Sequence, residues 1–264
     1  MNSASRLMDL FSKRPKDILN IYFTAGYPQL DDTERIILAL DRAGADMIEI
    51  GMPYSDPMAD GPTIQESGTQ ALKNGMRLRI LFEQLKNVRQ KTEIPLILMG
   101  YFNQVMQYGE EKFMAACQQV GIDGLILPDL PLEVFAREYQ PMYQRYNLDS
   151  IFLISPQSGE ERIRRVDELS SGFIYMVADA SITGKAGEIS PAQIEYFKRV
   201  QQMQLSSPRL IGFGIADHMA FTQACAHAQG ATVGSAFIRS LKKDASDAAI
   251  DQFVKSIKGI PVTS

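Results

Sequence analysis

The chain has 264 residues, of which 45% are hydrophobic and 22% are charged, a composition suited to one large domain with an ample core. Its 27 basic and 31 acidic residues leave a net charge of -4, which excludes a broad basic surface for nucleic acid or anionic membrane. The cysteines, Cys117 and Cys225, show no metal-ligand spacing with the histidines and are interpreted as small core residues.

The first predicted element is a short amphipathic helix within Met1 to Arg14, with Leu7, Leu10 and Phe11 on one side. The segment has no continuous apolar stretch, so it reads neither as a signal peptide nor as a membrane span. We therefore expect a cytoplasmic protein with reduced thiols, and a helix that caps the closed end of a barrel.

Short apolar runs follow along the chain, with helical segments between them. They predict eight strands at Ile18 to Thr24, Met47 to Gly51, Pro95 to Met99, Gly124 to Pro128, Ser150 to Ile154, Phe173 to Val177, Leu210 to Gly212 and Ala231 to Gly234. Alternating strands and helices predict a parallel sheet. The count favours a single α/β domain over residues 1–264, a (β/α)8 TIM barrel with an extra N-terminal helix. An open doubly wound sheet is the alternative.

The second predicted strand carries a carboxylate. Alternation puts Met47 and Glu49 on one face and Ile48 and Ile50 on the other, so Glu49 faces the interior if the isoleucines pack under helices. An ionised carboxylate there is costly unless it has a use. We interpret Glu49 as catalytic; the alternative is a structural acid paired with an Arg or Lys.

The loop after this strand, Pro53 to Gly61, carries Asp56 and Asp60. Taken alone, each aspartate is as consistent with turn formation as with catalysis. If Glu49 and Asp60 face one site from different backbone supports, their environments can push their pKa values apart. One site then has both a proton donor and a charge stabiliser at neutral pH.

Glycine-rich turns follow the last two predicted strands. Gly212, Phe213 and Gly214 follow the seventh strand, and Gly234 and Ser235 follow the eighth at the start of a helix. Barrels commonly bind phosphate between these two loops through backbone N–H groups, and glycine permits the close approach. This pair of turns predicts a phosphate site.

Several motifs together carry a family resemblance. They are Tyr22 to Pro28, Asp46 to Pro62, Gly124 to Pro131, Ser170 to Tyr175, Gly212 to Ile215, and Gly234 with Ser235. In this order and spacing they resemble the tryptophan synthase alpha subunit over almost the whole chain. The resemblance implies a lyase of tryptophan biosynthesis that cleaves indole-3-glycerol phosphate to indole and glyceraldehyde 3-phosphate by a retro-aldol reaction. It also implies a beta subunit that receives the indole in an alpha2beta2 complex. Pyridoxal phosphate belongs to that partner, so this chain is expected to hold neither cofactor nor metal.

The resemblance assigns roles to individual residues. Glu49 matches the general acid and base, and Asp60 matches the residue that accepts a hydrogen bond from the indole N–H. Thr183 matches a threonine of a mobile lid that contacts Asp60, and Gly184 joins the phosphate set. The resemblance places the partner interface near Pro53, Asp56, Pro57, Asn103 and Gln104, and Gln104 stands where proline is frequent.

A flat indole also needs an apolar slot. Tyr22, Met99, Leu127 and Leu153 fall near predicted strand ends, where each is consistent with barrel core or with a pocket wall. Tyr175 is interpreted as offering a hydroxyl to the same interior, with a packed aromatic ring as the alternative. The resemblance favours the pocket for this group of residues.

Two other functions remain open at this point. One is another phosphate-binding barrel enzyme, such as an isomerase or a relative of indole-glycerol phosphate synthase, which explains the phosphate loops but not the pair Glu49 and Asp60. The other is a binding module that activates a partner and has lost its chemistry, which has no need of both carboxylates.

Overall fold

Eight parallel strands close into a barrel in which each strand pairs with the next and β8 pairs with β1. The structure, a computed structural model, describes residues 5–58, 60–177, 190–212 and 214–261. The strands are β1 Ile18–Thr24, β2 Met47–Gly51, β3 Leu96–Met99, β4 Gly124–Ile126, β5 Asp149–Ile154, β6 Ile174–Val177, β7 Arg209–Gly212 and β8 Gly230–Val233. The predicted closed barrel is confirmed, and the open sheet is not what the chain forms.

Helices lie between consecutive strands and cover the barrel. They are α1 Arg6–Lys13, α2 Asp32–Ala43, α3 Pro62–Lys73, α4 Leu78–Leu85, α5 Phe102–Tyr108, α6 Glu110–Val120, α7 Leu132–Val134, α8 Gln140–Arg145, α9 Glu160–Leu169, α10 Pro191–Gln202, α11 His218–Cys225, α12 Ser235–Lys243 and α13 Asp247–Lys258. The described ranges also contain a 3₁₀ turn at Val88–Gln90 and a π-helical segment at Phe135–Tyr139.

β4 is shorter than the sequence predicts. It ends at Ile126, whereas the apolar run extends to Pro128. Beyond the strand, the N–H of Leu130 donates to the carbonyl of Leu127 at 3.1 Å, so the chain turns there. Proline has no N–H to continue a ladder, which explains the early end.

The apolar side chains form two clusters, one inside the barrel and one between the strands and the helices. Met47 packs inside, and Ile48 and Ile50 pack in the outer cluster, as alternation predicts. Glu49 follows the parity of Met47 and is 1% exposed. Both cysteines are buried, which confirms their interpretation as core residues.

Helix α1 closes one end of the barrel. Leu7 is 0% exposed and Phe11 is 9% exposed, and both belong to the interior cluster. The ring of Phe11 lies 6.1 Å from that of Phe173, between centroids. Arg6 forms an ion pair with Asp123 at 3.0 Å, which ties the helix to the strand ends. The expectation that this helix caps the closed end is confirmed.

Neither a membrane-spanning helix nor a cluster of metal-ligand side chains occurs among the described residues. None of the helices described is long and apolar enough to cross a membrane. Among the same residues, no group of His, Cys, Asp and Glu side chains could hold a metal ion.

Replacing Leu7 by alanine should destabilise the barrel, because it leaves a cavity between α1 and the interior cluster. We expect Leu7→Ala to lower the free energy of unfolding by about 2–5 kcal/mol in chemical denaturation. The matched control is Met8→Ala, whose side chain is 47% exposed on the same helix and whose loss should change the value by less than about 0.5 kcal/mol. Equal effects of the two substitutions would show that α1 does not close the core.

Candidate active site

Glu49 lies in the middle of β2 with its carboxyl group inside the barrel. Its Oε2 accepts a hydrogen bond of 2.9 Å from Asn20 Nδ2 on β1. Its Oε1 is buried and has no hydrogen-bond partner among the described residues. The ion pairs found in the described ranges do not include Glu49, so the structural alternative of a carboxylate paired with Arg or Lys is not supported there.

The surroundings of Glu49 hold its carboxyl group in the neutral form. Its pKa is raised from 4.5 to about 8. Burial is the largest cause of this rise, the hydrogen bond from Asn20 opposes it, and the nearby charge of Asp60 adds to it. A carboxyl group with this pKa is protonated at neutral pH. In this form the Glu49 carboxyl group has a proton that it can donate.

Asp60 lies on a different support, in the loop between β2 and α3. Its Oδ2 accepts a hydrogen bond of 3.2 Å from the hydroxyl of Tyr101, and its backbone carbonyl accepts one of 2.8 Å from Gln65 Nε2. Burial raises the pKa of Asp60, and the bond from Tyr101 lowers it. Asp60 is half-buried whereas Glu49 is fully enclosed, so Asp60 is the better placed of the two to carry a charge.

Two tyrosines border this pair of carboxyl groups. Burial raises the pKa of both Tyr22 and Tyr175 well above the ordinary value, and the negative charges of Glu49 and Asp60 raise it further, so both hydroxyls stay protonated. A Cβ on Gly51 would come within 2.1 Å of the Tyr22 hydroxyl oxygen, and one on Gly212 within 2.3 Å of the Tyr175 ring. These two positions must be glycine for the tyrosines to lie as they do.

The predicted apolar slot is only partly assembled. Met99 and Leu153 are half-buried at the ends of β3 and β5 and pack in the interior cluster with Tyr175. Leu127 lies one residue beyond β4, and it packs in the outer cluster. Lining of a pocket by Leu127 stays a prediction.

The two glycine-rich turns lie on adjacent strands. Gly212 ends β7, and Gly234 directly precedes Ser235 at the start of α12. Gly214 has a φ of 76°, a left-handed conformation that favours glycine. A Cβ at Gly234 would meet Tyr22 Cβ at an ordinary 3.5 Å, so packing alone does not require glycine there. Phe213, Thr183 and Gly184 lie outside the described residues.

Three of the predicted interface residues, Pro53, Asn103 and Gln104, lie where the loop after β2 meets the start of α5. Gln104 Nε2 donates to the carbonyl of Pro53 at 3.0 Å, and Asn103 Nδ2 donates to the hydroxyl of Tyr54 at 2.8 Å. Gln104 Oε1 also accepts from the N–H of Tyr101 at 3.0 Å. A side chain at the position where proline is frequent therefore connects the loop after β2 to the residue that holds Asp60.

Similarity to known proteins agrees with this geometry. The model of the family described as "Tryptophan synthase alpha chain" matches residues 9–259. The chain belongs to the tryptophan synthase alpha chain family.

Individual relatives support this assignment. The tryptophan synthase alpha chain of Flavobacterium psychrophilum is 53% identical over 242 residues, which cover 92% of this chain and 95% of the relative. That of Parabacteroides distasonis is 48% identical over 255 residues, covering 96% and 99%.

Solved structures agree. A crystal structure of tryptophan synthase from M. tuberculosis has a TM-score of 0.84 at 30% identity, covering 98% of this chain and 100% of that one. A tryptophan synthase subunit alpha from Legionella pneumophila has a TM-score of 0.87 at 29% identity, covering 97% and 98%.

The family resemblance did not point to three polar residues of the site. Asn20 and Thr232 occur within apolar runs; Asn20 donates to both Glu49 and Thr232, and Tyr101 holds Asp60. One sequence signal could have found Asn20, because it shares the parity of Tyr22 along β1 and therefore faces the same interior. Tyr101 occurs in a loop where no periodicity points to its target.

The raised pKa of Glu49 predicts a pH-dependent stability difference. Between pH 4.5 and about 8 the folded chain keeps a proton on Glu49 that the unfolded chain has released, so this group lowers stability as pH rises. Glu49→Gln removes the effect. We expect its free energy of unfolding, relative to the unsubstituted chain, to increase across this range and to level off above it.

The measurement is chemical denaturation of both proteins at several pH values. Glu83→Gln is a suitable control, because this carboxylate is 75% exposed on α4. A difference between Glu49→Gln and the unsubstituted chain that stays constant with pH would show that Glu49 is ionised in the folded protein.

Proposed function

We propose that this chain cleaves indole-3-glycerol phosphate to indole and glyceraldehyde 3-phosphate, with Glu49 as the acid-base group and Asp60 as the charge stabiliser. The reaction is that of the tryptophan synthase alpha chain family, a lyase family. The proposal rests on one observation above all. A protonated carboxyl group, Glu49, is enclosed in the barrel with one oxygen free of partners among the described residues.

The chemistry of the cleavage requires a group of this kind. Glu49 first donates its proton to C3 of the indole ring, which creates a cationic indolenine. The resulting carboxylate then removes the proton of the side-chain hydroxyl. The bond from C3 breaks, its electron pair restores the aromatic indole, and the side chain leaves as the aldehyde. Glu49 ends protonated, as it began.

Asp60 has a different task in this mechanism. The indole N–H becomes positively charged when C3 is protonated, and a carboxylate that accepts its hydrogen bond stabilises this charge. Burial raises the pKa of Asp60, but the hydrogen bond from Tyr101 opposes this shift, and Asp60 is less enclosed than Glu49. We assign the substrate slot to Tyr22, Met99, Leu153 and Tyr175, with Leu127 and the lid residue Thr183 completing it.

The phosphate group is proposed to lie between the turns after β7 and β8. Gly212, Gly214, Gly234 and Ser235 are the described members of this set, and Phe213 and Gly184 are assigned to it from the family pattern. The N-terminal turn of α12 offers backbone N–H groups to an anion, and the open space beside Gly214 leaves room for close approach.

A beta subunit is the proposed partner, since one solved relative, at 32% identity, is a tryptophan synthase complex from Pyrococcus furiosus. We place the contact on the rim formed by Pro53, Asp56, Pro57, Asn103 and Gln104, in an alpha2beta2 assembly. Met58 supports this placement, because it is 88% exposed in the same loop. Pyridoxal phosphate is assigned to the partner, and the proposed cleavage uses only side chains of this chain.

Glu49→Gln should abolish most of the cleavage without unfolding the chain. The amide preserves the shape of the side chain but cannot transfer the proton, so indole release should fall at least ~10²-fold. The assay mixes purified protein with indole-3-glycerol phosphate and detects indole, with and without a beta chain.

Asp60→Asn in the same assay separates charge stabilisation from binding. It should lower kcat strongly and change less the Kd of a substrate analogue that keeps the indole N–H, because the charge matters in the transition state. Glu83→Gln serves as the control.

If Glu49→Gln kept more than about a third of the activity, Glu49 would have no place in the mechanism. If the unsubstituted chain released no indole, another phosphate-binding barrel function or a non-catalytic role would be favoured.

Gly234→Val should weaken the binding of glyceraldehyde 3-phosphate far more than that of indole. The added side chain blocks approach of the phosphate to the backbone, and we expect a loss of about tenfold or more in titration calorimetry. Gly159→Val is the matched control, since Gly159 also directly precedes a helix and a Cβ added there would meet nothing within 4 Å. Equal losses for both ligands would mean a general disturbance of the site.

A further inference from the structure

Asn20 connects the proposed acid to the seam where the barrel closes. The residue lies on β1, is 0% exposed, and has its side chain inside the barrel. Its Nδ2 donates to Glu49 Oε2 on β2 at 2.9 Å and to Thr232 Oγ1 on β8 at 3.0 Å. One amide group therefore ties three adjacent strands together next to the acid.

The contacts continue across the barrel. Thr232 also forms a side-chain hydrogen bond with Tyr175 on β6. Its hydroxyl is therefore held from two sides and fixes the Asn20 amide in turn. Hydrogen bonds of this kind are strengthened by the low dielectric of a closed interior. The result is a buried series of hydrogen-bonded side chains that runs from Tyr175 through Thr232 and Asn20 to Glu49.

This series of hydrogen bonds gives the Glu49 carboxyl group one defined orientation. A carboxyl group rotates freely about its terminal bond unless one oxygen is held. Here Oε2 is held by Asn20, and Oε1 has no partner among the described residues. We propose that Asn20, braced by Thr232, is a positioning residue that holds Glu49 so that Oε1 faces the substrate. This inference rests on the cleavage reaction proposed above.

The same bond also has an electrostatic effect. The hydrogen bond from Asn20 lowers the pKa of Glu49, while burial and Asp60 raise it. Other ionisable groups that face Glu49 are the phenols of Tyr22 on β1 and Tyr175 on β6. From β3 the paired residue is Ile97, and the β8 residue Thr232 is neutral and contacts Asn20. Among these groups Asn20 is the one whose contact favours the carboxylate that the second proton transfer requires.

Removing the amide should therefore change both rate and pH dependence. Cleavage begins with protonated Glu49, so kcat declines as pH rises through its pKa. Asn20→Leu removes a bond that favours the carboxylate, so this decline should move to higher pH. With the carboxyl group no longer oriented, kcat should fall about tenfold or more while KM changes less. Asn20→Asp, of the same size, places a second carboxylate beside the first and should shift the decline in the same direction.

Two controls separate positioning from general damage. Thr33→Val removes an equally buried hydroxyl, which accepts the Gly26 N–H at 3.1 Å in a part of the fold without contact to Glu49, and should leave the pH profile unchanged. Thr232→Val removes only the brace and should give a smaller loss of kcat than Asn20→Leu. It also provides a second variant if Asn20→Leu does not fold.

A measurement without substrate makes the outcome independent of the proposed reaction. Infrared titration of the Glu49 carboxyl group, identified by its loss in Glu49→Gln, should show a higher midpoint in Asn20→Leu than in the unsubstituted chain. An unchanged midpoint overturns the inference, and so does a raised midpoint with unchanged kcat. If the unsubstituted chain releases no indole, the proposed function fails, and the titration still decides whether Asn20 controls Glu49.

Discussion

The site depends on a carboxyl group enclosed in a closed barrel without a counter-ion among the described residues. Taking a charge into such an interior is costly, so Glu49 keeps its proton to about pH 8. The barrel produces this condition directly, because parallel strands closed into a ring leave little access for water to their inner face. A carboxyl group that keeps its proton at neutral pH, the proposed general acid, is therefore a consequence of where β2 places one side chain.

The second carboxyl group is held by a different kind of support. Asp60 lies on a loop, and its contacts come from the neighbouring loop through Tyr101. Tyr101 is in turn held at its N–H by Gln104, which also binds the carbonyl of Pro53. Glu49 is fixed by strands, whereas Asp60 is fixed by contacts that can change when a loop moves. In the proposed cleavage, positive charge develops on the indole only after proton transfer. A fixed proton donor, Glu49, and a carboxylate on a loop, Asp60, suit that order of events.

The sequence predicts the framework of the site better than its contacts. Parallel strands buried on both faces have continuous apolar runs, so the sequence alone predicts the strands. Alternation along β2 correctly predicts that Glu49 faces the same side as Met47. The sequence does not predict where β4 ends, because the apolar run continues to Pro128 whereas the strand ends at Ile126. The bond between Asn20 and Thr232 joins residues 212 positions apart, which no local pattern can show.

The sequence also does not show why a particular position must be glycine. Gly212 was interpreted through phosphate binding alone, but the ring of Tyr175 already excludes any side chain there. A glycine in a loop thus has two separate physical explanations, close approach of a ligand and close packing of an aromatic ring. Gly234 lacks the second constraint, so its place at the start of α12 is the clearer indication of a ligand.

The positions of these supports determine how a partner at the rim can act on the chemistry. In the proposed complex the beta subunit contacts the loop from Pro53 to Met58 together with Asn103 and Gln104. These residues hold Tyr101 and through it Asp60, but none of the hydrogen bonds described for the Glu49 side chain involves them. A partner that shifts this rim changes the stabilisation of charge, while Asn20 and the strands keep the acid in place. A partner at the rim therefore acts first on Asp60, and it reaches the protonation of Glu49 only through the charge of Asp60.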